Sequence, residues 1–137
     1  MRIKVRDRES LGQELWYVGI DGDKTGEFIG EALADTTDSA PEIRSRSNKI
    51  SQAIEKIRIA VKSNHKEGSI LFACGDNILF RGQVSYDFVE SLLSIYRQET
   101  GLSASAGIGR TPYQASVALS LAKGEGGGAI KAISLTE

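Results

Sequence analysis

Two acidic residues, Asp21 and Asp76, stand where side chains of their type could do chemistry in this 137-residue chain. Asp21 ends the apolar, aromatic and β-branched run Trp16-Tyr17-Val18-Gly19-Ile20. Asp76 lies in Cys74-Gly75-Asp76-Asn77, between the apolar runs at 69–73 and 78–80. Magnesium or manganese takes oxygen ligands, commonly one or two carboxylates completed by substrate phosphates. Two such ions can activate an attacking hydroxyl and neutralise a pyrophosphate leaving group. The carbonyl of Gly22 can complete the site, with Asp23 assisting. Lys24-Thr25-Gly26 leads into a helix start, where free N–H groups suit phosphate oxygens. Lys123, just before a glycine-rich turn, can bring a positive charge to the same phosphates. Asp-Gly-Asp and Gly-Asp are each ordinary turn sequences. Their joint placement at strand ends is what points to a shared site.

Other chemistries are excluded by the letters. Cys74 and His65 are each the sole residue of their type, so an internal disulfide, a cysteine-rich zinc site and a His-pair metal site are ruled out. An EF-hand loop from Asp21 would need its bidentate Glu where Ala32 stands, and a P-loop ending at Lys24-Thr25 would need glycines at Val18 and Asp23. Seventeen Lys and Arg against eighteen Asp and Glu give a net charge of -1, which predicts neither an extended nucleic-acid footprint nor a basic membrane-binding face. The N-terminus lacks an apolar signal core and no run approaches the ~20 apolar residues of a membrane span, so the cytoplasm is the expected compartment.

The elements that must position these acids follow from periodicity. Residues 2–14 are highly charged and read as an edge strand or loose arm, so residues 1–15 are set apart from a single domain over 16–137. After the strand at Trp16, a short helix carries Phe28, Ile29, Ala32 and Leu33. Residues 34–41 read as a loop, with Pro41 at a helix start. Ile43, Ile50, Ile54, Ile57 and Val61 then fall on one face of a long helix. The runs around Gly75-Asp76 predict a tight hairpin whose primed turn needs the positive φ of Gly75. Val84, Phe88, Leu92 and Ile95 form a further helical stripe, and residues 102–109 form a strand of small residues that lets another backbone approach. Thr111-Pro112 caps a helix to Lys123, and residues 129–133 close the chain as a strand. The resulting βαββαβ core predicts an α+β, ferredoxin-like sheet with helices on one face, in which the first strand and the hairpin lie side by side. His65 reads as a surface residue, Cys74 as a small packed one, Trp16 and Tyr17 as core. Arg44, Arg46 and Lys49 read as a solvated helix face.

At Asp21-Gly22-Asp23, Cys74-Gly75-Asp76-Asn77, Ser105-Ala106-Gly107-Ile108 and Ala122-Lys123 the chain resembles a known group. It is similar to the palm domains of GGDEF nucleotide cyclases, of Cas10 CRISPR polymerases, and of the minimal CRISPR polymerase (mCpol) family, in which such a palm stands alone. The resemblance spans about residues 16–133. It implies an enzyme condensing nucleoside triphosphates into a cyclic oligonucleotide messenger of antiviral defence, with release of pyrophosphate and an effector protein sensing the product. Carried over by position, Asp21, Gly22 and Asp76 hold two magnesium or manganese ions, and the amides of Lys24 and Thr25 contact phosphate. Lys123 grips the triphosphate, while Asp23, Gly75 and Asn77 border the nucleotide. Two departures stand out. Cys74 and Asn77 replace a glycine and an acid of the usual hairpin motif, and the charge lost at Asn77 keeps a catalytically weak sensor or scaffold as an alternative. Ile29 stands where diguanylate cyclases read guanine with an asparagine, which favours ATP over GTP and a cyclic adenine dinucleotide over a diguanylate-type product. Joining two nucleotides needs two triphosphates, so a homodimer with facing sites is expected.

Overall fold

The computed structural model describes residues 2–34, 37–65 and 69–136. Residues 35–36 of the expected 34–41 loop, and residues 66–68 beside His65, lie outside the described residues. The strands are β1 (Arg2–Val5), β2 (Trp16–Gly22), β3 (Ile70–Cys74), β4 (Asn77–Gly82), β5 (Ala104–Gly109) and β6 (Ile130–Thr136). The helices are α1 (Thr25–Leu33), α2 (Ala40–Asn64), α3 (Tyr86–Thr100) and α4 (Pro112–Gly124). They build one six-stranded sheet in the order β1-β6-β5-β2-β4-β3. The inner group β5-β2-β4-β3 is antiparallel throughout and is the ferredoxin-like palm expected of the sequence. β6 extends it parallel to β5. The charged N-terminal segment is an edge strand: β1 pairs antiparallel with β6, and its side chains are exposed, the charged kind of edge that resists further pairing.

Alternation along the strands divides the sheet into two faces. On one, Trp16, Val18 and Ile20 of β2, Ile78 and Phe80 of β4, and Ala104, Ala106 and Ile108 of β5 form a buried core with α2 and α3. The stripe of α2 is the expected one, with Ile50, Ala53, Ile54, Ile57 and Val61 buried. The stripe of α3 is displaced. Ser85 caps the helix by accepting the Phe88 N–H at 3.1 Å, so Val84 precedes it, and the fully buried side chains are Val89, Leu92 and Tyr96. Phe88 and Ile95 are only half-buried at its margin.

The expectation of helices on a single face is corrected by α4, which lies across the other one. There β5 offers Gly107 and Gly109, and β2 offers Gly19. A Cβ on Gly107 would stand 2.2 Å from the Leu119 amide nitrogen and 2.3 Å from the Ala115 carbonyl oxygen. Helix and strand backbones touch at this point, and the small-residue strand is what permits it. Thr111 caps α4 by accepting the Gln114 N–H at 3.1 Å, and Ala115, Ala118 and Ala122 are its buried face. None of the described helices is long and apolar enough to cross a membrane.

Two single-site readings are also amended. His65 is half-buried, its ring centroid 5.5 Å from that of Phe88 and 5.9 Å from that of Phe80, over the space Gly82 leaves open. Cys74 is exposed, at the last position of β3, the strand at the sheet's edge. Trp16 is core as expected, its indole N–H donating to the Leu11 carbonyl at 2.9 Å. Gly107→Ala should destabilise the fold by about 3 kcal/mol or displace α4, since backbone atoms cannot yield to the added methyl. Gly19→Ala, whose Cβ would meet only Leu119 and Leu79 side chains at 3.9 Å, should stay within about 1 kcal/mol of wild type. Urea unfolding of both variants checks the contrast.

Candidate active site

The register of the central strands assembles the site. Asp21 of β2 is the cross-strand partner of Asn77 on β4 and of Ser105 on β5, and Asn77 is in turn the partner of Cys74. Cys74, Asn77, Asp21 and Ser105 therefore form one row on the α4 face. Gly75 and Asp76 are the two residues of the β3–β4 turn, and Gly75 has φ +57°. Positive φ at the first central residue only is the type II′ pattern, whose twist suits a two-residue hairpin. The turn is tied to β2 by the Gly22 N–H, which donates to the Asp76 carbonyl at 3.0 Å. Two residues 55 positions apart are thereby brought together.

Charge then organises the row. Lys123, in the last turn of α4, places its ammonium 3.0 Å from Asp23 Oδ1, 3.1 Å from the Gly22 carbonyl and 3.3 Å from Asp21 Oδ2. Burial raises the Asp21 carboxyl above the ordinary aspartate value, and the negative charge of Asp76 adds to the rise; Lys123 opposes both. Burial likewise works against the Lys123 ammonium, but its contacts with Asp23 and Asp21 outweigh it and hold the lysine above its usual value.

Asp23 is the main departure from the expected nucleotide-binding set. It is 8% exposed, and its carboxylate accepts from Ser103 Oγ at 2.7 Å, Ser105 Oγ at 2.9 Å, the Gly128 N–H at 2.7 Å and Lys123. Burial alone would raise it, yet these donors together hold it below the ordinary aspartate value. Gly126, Gly127 and Gly128 all have positive φ, and a Cβ on Gly127 would stand 2.7 Å from the Asp23 carboxyl carbon. Asp23 is thus the internal anchor of the glycine turn, its oxygens occupied within the protein. It positions Lys123.

Beyond β2 the chain turns through Lys24, in the left-handed region at φ 57°, into α1, whose first turn has no side-chain cap. The N–H groups of that turn are the ones expected to meet phosphate. Beneath them lies Tyr96, fully buried, with its hydroxyl 3.2 Å from Thr25 Oγ1. A Cβ on Gly22 would meet that hydroxyl at 2.2 Å, so Gly22 must be glycine for the tyrosine to fit. Burial pushes the Tyr96 hydroxyl up; Thr25 opposes the shift, and Asp76, Asp21 and Asp23 add to it. Sequence reasoning missed Tyr96, because the displaced α3 stripe hid it, and missed Ser103; it quoted Ser105 but gave it no role, and the i, i+2 spacing of the two serines was the available signal.

The donors fit a hard divalent cation. They are the Asp21 carboxylate and the Gly22 carbonyl, which both meet the Lys123 ammonium, and the Asp76 carboxylate, whose negative charge bears on Asp21; all are oxygen. Among the described residues no group of three His, Cys, Asp or Glu side chains is placed to hold a metal by itself. Two carboxylates completed by substrate phosphates is the arrangement magnesium favours.

The profile of the mCpol family, the minimal CRISPR polymerase domain, matches residues 17–133. No curated protein matches. Among solved structures, the Csm1-Csm4 cassette in complex with cA4 superposes with a TM-score of 0.65 at 22% identity, over 85% of this chain and 20% of that one. The same cassette in complex with AMPPNP gives 0.61 at 21% identity, again over 85% and 20%. The diguanylate cyclase SiaD in complex with its activator SiaC, from Pseudomonas aeruginosa, gives 0.51 at 15% identity, over 90% and 52%. These likenesses are of fold, and the chain spans about a fifth of the cassette chain it matches.

In the metal-free protein, Asp21 should titrate above the ordinary aspartate value of 3.8, and Lys123→Met should move it further up by removing the opposing ammonium. Carboxyl carbon NMR reads both. Asp23→Ala should cost about 3 kcal/mol in urea unfolding by leaving Lys123, two hydroxyls and an amide without their acceptor. Because the folded Asp23 sits below its unfolded value, its stabilisation is present above about pH 4 and lost as pH falls through the lowered value.

Proposed function

The chain belongs to the minimal CRISPR polymerase family, and from that premise we propose that it is a metal-dependent nucleotidyltransferase condensing nucleoside triphosphates, ATP before GTP, into a cyclic oligonucleotide messenger. Polymerase- and cyclase-like palms form its structural kin. The observation that carries the reading is the β2–β4 register, which sets Asp21 beside the Asp76 turn next to the uncapped start of α1.

In this reading Asp21, Asp76 and the Gly22 carbonyl hold magnesium or manganese, and the metal supplies activation of the attacking hydroxyl and charge neutralisation on the leaving group. The chain's own residues do the rest. The amides of Lys24 and Thr25 orient the triphosphate, with Tyr96 fixing Thr25 from below. Lys123, already held on Asp21 and Asp23, places positive charge beside the phosphates. A hydroxyl oxygen bonds to the α-phosphorus as the bond to the β-phosphate bridging oxygen breaks. Pyrophosphate leaves with that electron pair, and the hydroxyl proton passes to solvent. By the resemblance Ile29, half-buried on α1, would stand where diguanylate cyclases read guanine with an asparagine, which is what favours ATP over GTP. Closing a ring requires a second triphosphate, hence a homodimer with facing sites. An effector protein would sense the product.

A nucleotide-binding palm without turnover is the second reading. It is favoured by Asn77 in place of an acid and by the contact of Lys123 with both Asp21 and Gly22. Incubating the protein with each triphosphate and magnesium or manganese, followed by mass spectrometry, separates the two: a cyclic product with pyrophosphate supports turnover, binding without product the alternative. Asp76→Ala should lower pyrophosphate release at least about a hundredfold with the unfolding midpoint unchanged, because the Asp76 main-chain carbonyl, not its side chain, accepts from Gly22. Wild-type turnover in that variant would refute the assignment.

A further inference from the structure

A second row lies next to the carboxylate row on the α4 face. Phe72 of β3, Leu79 of β4, Gly19 of β2 and Gly107 of β5 are successive cross-strand partners. They stand two residues along their strands from Cys74, Asn77, Asp21 and Ser105, a step of about 7 Å. α4 covers the β5 end of this row, against Gly107. It leaves the β3 end open, where Phe72 is 46% exposed. Between them runs a groove of about 330 Å³ with Gly19 and Leu79 as its floor, Phe72 on one side and Leu119 on the other, and it ends at Asp21 and Asn77.

We propose that this groove receives the nucleobase of the attacking nucleotide, whose phosphates the facing protomer holds and whose hydroxyl joins the α-phosphate of the triphosphate held at Asp21 and Asp76; the inference rests on the nucleotidyltransferase reading above. Gly19 is the telling residue. Gly107 must be glycine because α4 touches it, but a Cβ on Gly19 would have its nearest neighbours at 3.9 Å, in ordinary contact. Packing does not require the missing side chain, and its absence keeps the floor of the groove flat. The lining is mostly apolar, with polar side chains at Asp21 and Asn77 at one end and at Ser116 on α4, a distribution that suits a ligand with a planar apolar body and a polar sugar. A ribose whose hydroxyl reaches the carboxylate row puts its base about one pleat repeat away, over Gly19 and Leu79. Phe72 presents an aromatic face there, and bases stack on aromatic side chains whatever their identity. The triphosphate itself belongs elsewhere, on the polar start of α1.

The test uses the Asp76→Ala protein without metal, titrated with adenosine 5′-monophosphate and followed by NMR at the Leu79 and Leu119 methyls and the Phe72 ring. Those signals should shift saturably with the nucleotide and not with ribose 5-phosphate. Adding Phe72→Ala should weaken binding roughly tenfold, and Phe72→Trp should restore it. Gly19→Val, which fills the floor, should abolish the shifts. In the enzyme with Asp76 intact, Phe72→Ala should raise the triphosphate concentration for half-maximal pyrophosphate release by a similar factor. Pyrophosphate release by wild type with no shift at these three residues would overturn the groove assignment and leave the nucleotidyltransferase reading standing. Nucleotide-dependent shifts together with no pyrophosphate from the wild-type chain, given each triphosphate with magnesium or manganese, would sink that reading, and the role of an attacking nucleotide with it. Shifts that follow protein concentration instead of nucleotide concentration would assign the groove to a second copy of the chain and overturn the proposal.

Discussion

Everything at the candidate site depends on β2 being paired on both edges. A central strand has no freedom of register: a slip of one residue would carry Trp16, Val18 and Ile20 out of the core and Asp21 into it. The apolar stripe thus enforces the address of the acid. With Asp21 fixed opposite Asn77, the adjoining two-residue turn can only put Asp76 beside the end of β2, and the bond from the Gly22 N–H to the Asp76 carbonyl closes that corner. The chemistry-bearing residues are therefore positioned by hydrophobic burial and main-chain hydrogen bonds, and the one that spends its side chain on holding the fold together is Asp23, with Lys123 as its ionic partner.

That exception explains the electrostatics. Three carboxylates near one another would repel, and a buried carboxylate without partners is costly. The fold resolves this by turning Asp23 inward, where two serine hydroxyls, a main-chain amide and Lys123 surround it. Asp23 in turn pins the glycine turn and the lysine, so the single ammonium is shared with Asp21. Asp21 and Asp76 are left as the pair that still repel, which is the condition under which a divalent cation gains most from binding. Tyr96 supports the same corner from the core side, filling the space that Gly22 vacates and reaching Thr25 at the start of α1.

The two faces of the sheet have different tasks. One is closed by α2 and α3 over large aliphatic side chains and supplies stability. The other is only partly covered, because α4 sits on small residues at β5 and stops short of β3 and β4. The uncovered strip adjoins the carboxylates, so the open surface of the molecule and its charged corner are continuous.

Much of this was legible in the letters for local reasons. Strand and helix identities followed from periodicity, the hairpin from Gly75-Asp76, the α4 cap from Thr111-Pro112, and the pairing of Asp21 with Asp76 from the one order of strands that a βαββαβ chain favours. Other features depended on which side of the sheet an element chose. The Asp-Gly-Asp turn reads the same whether Asp23 faces a ligand or the interior, and only the arrival of Ser103, Ser105 and Gly128 from some 80 to 105 residues away decided it. α4 crossed to the opposite face, and Tyr96 came to lie under Gly22, for the same reason: a side chain's type and period state how it can be buried, while its neighbours are set by contacts between segments that are remote in the chain.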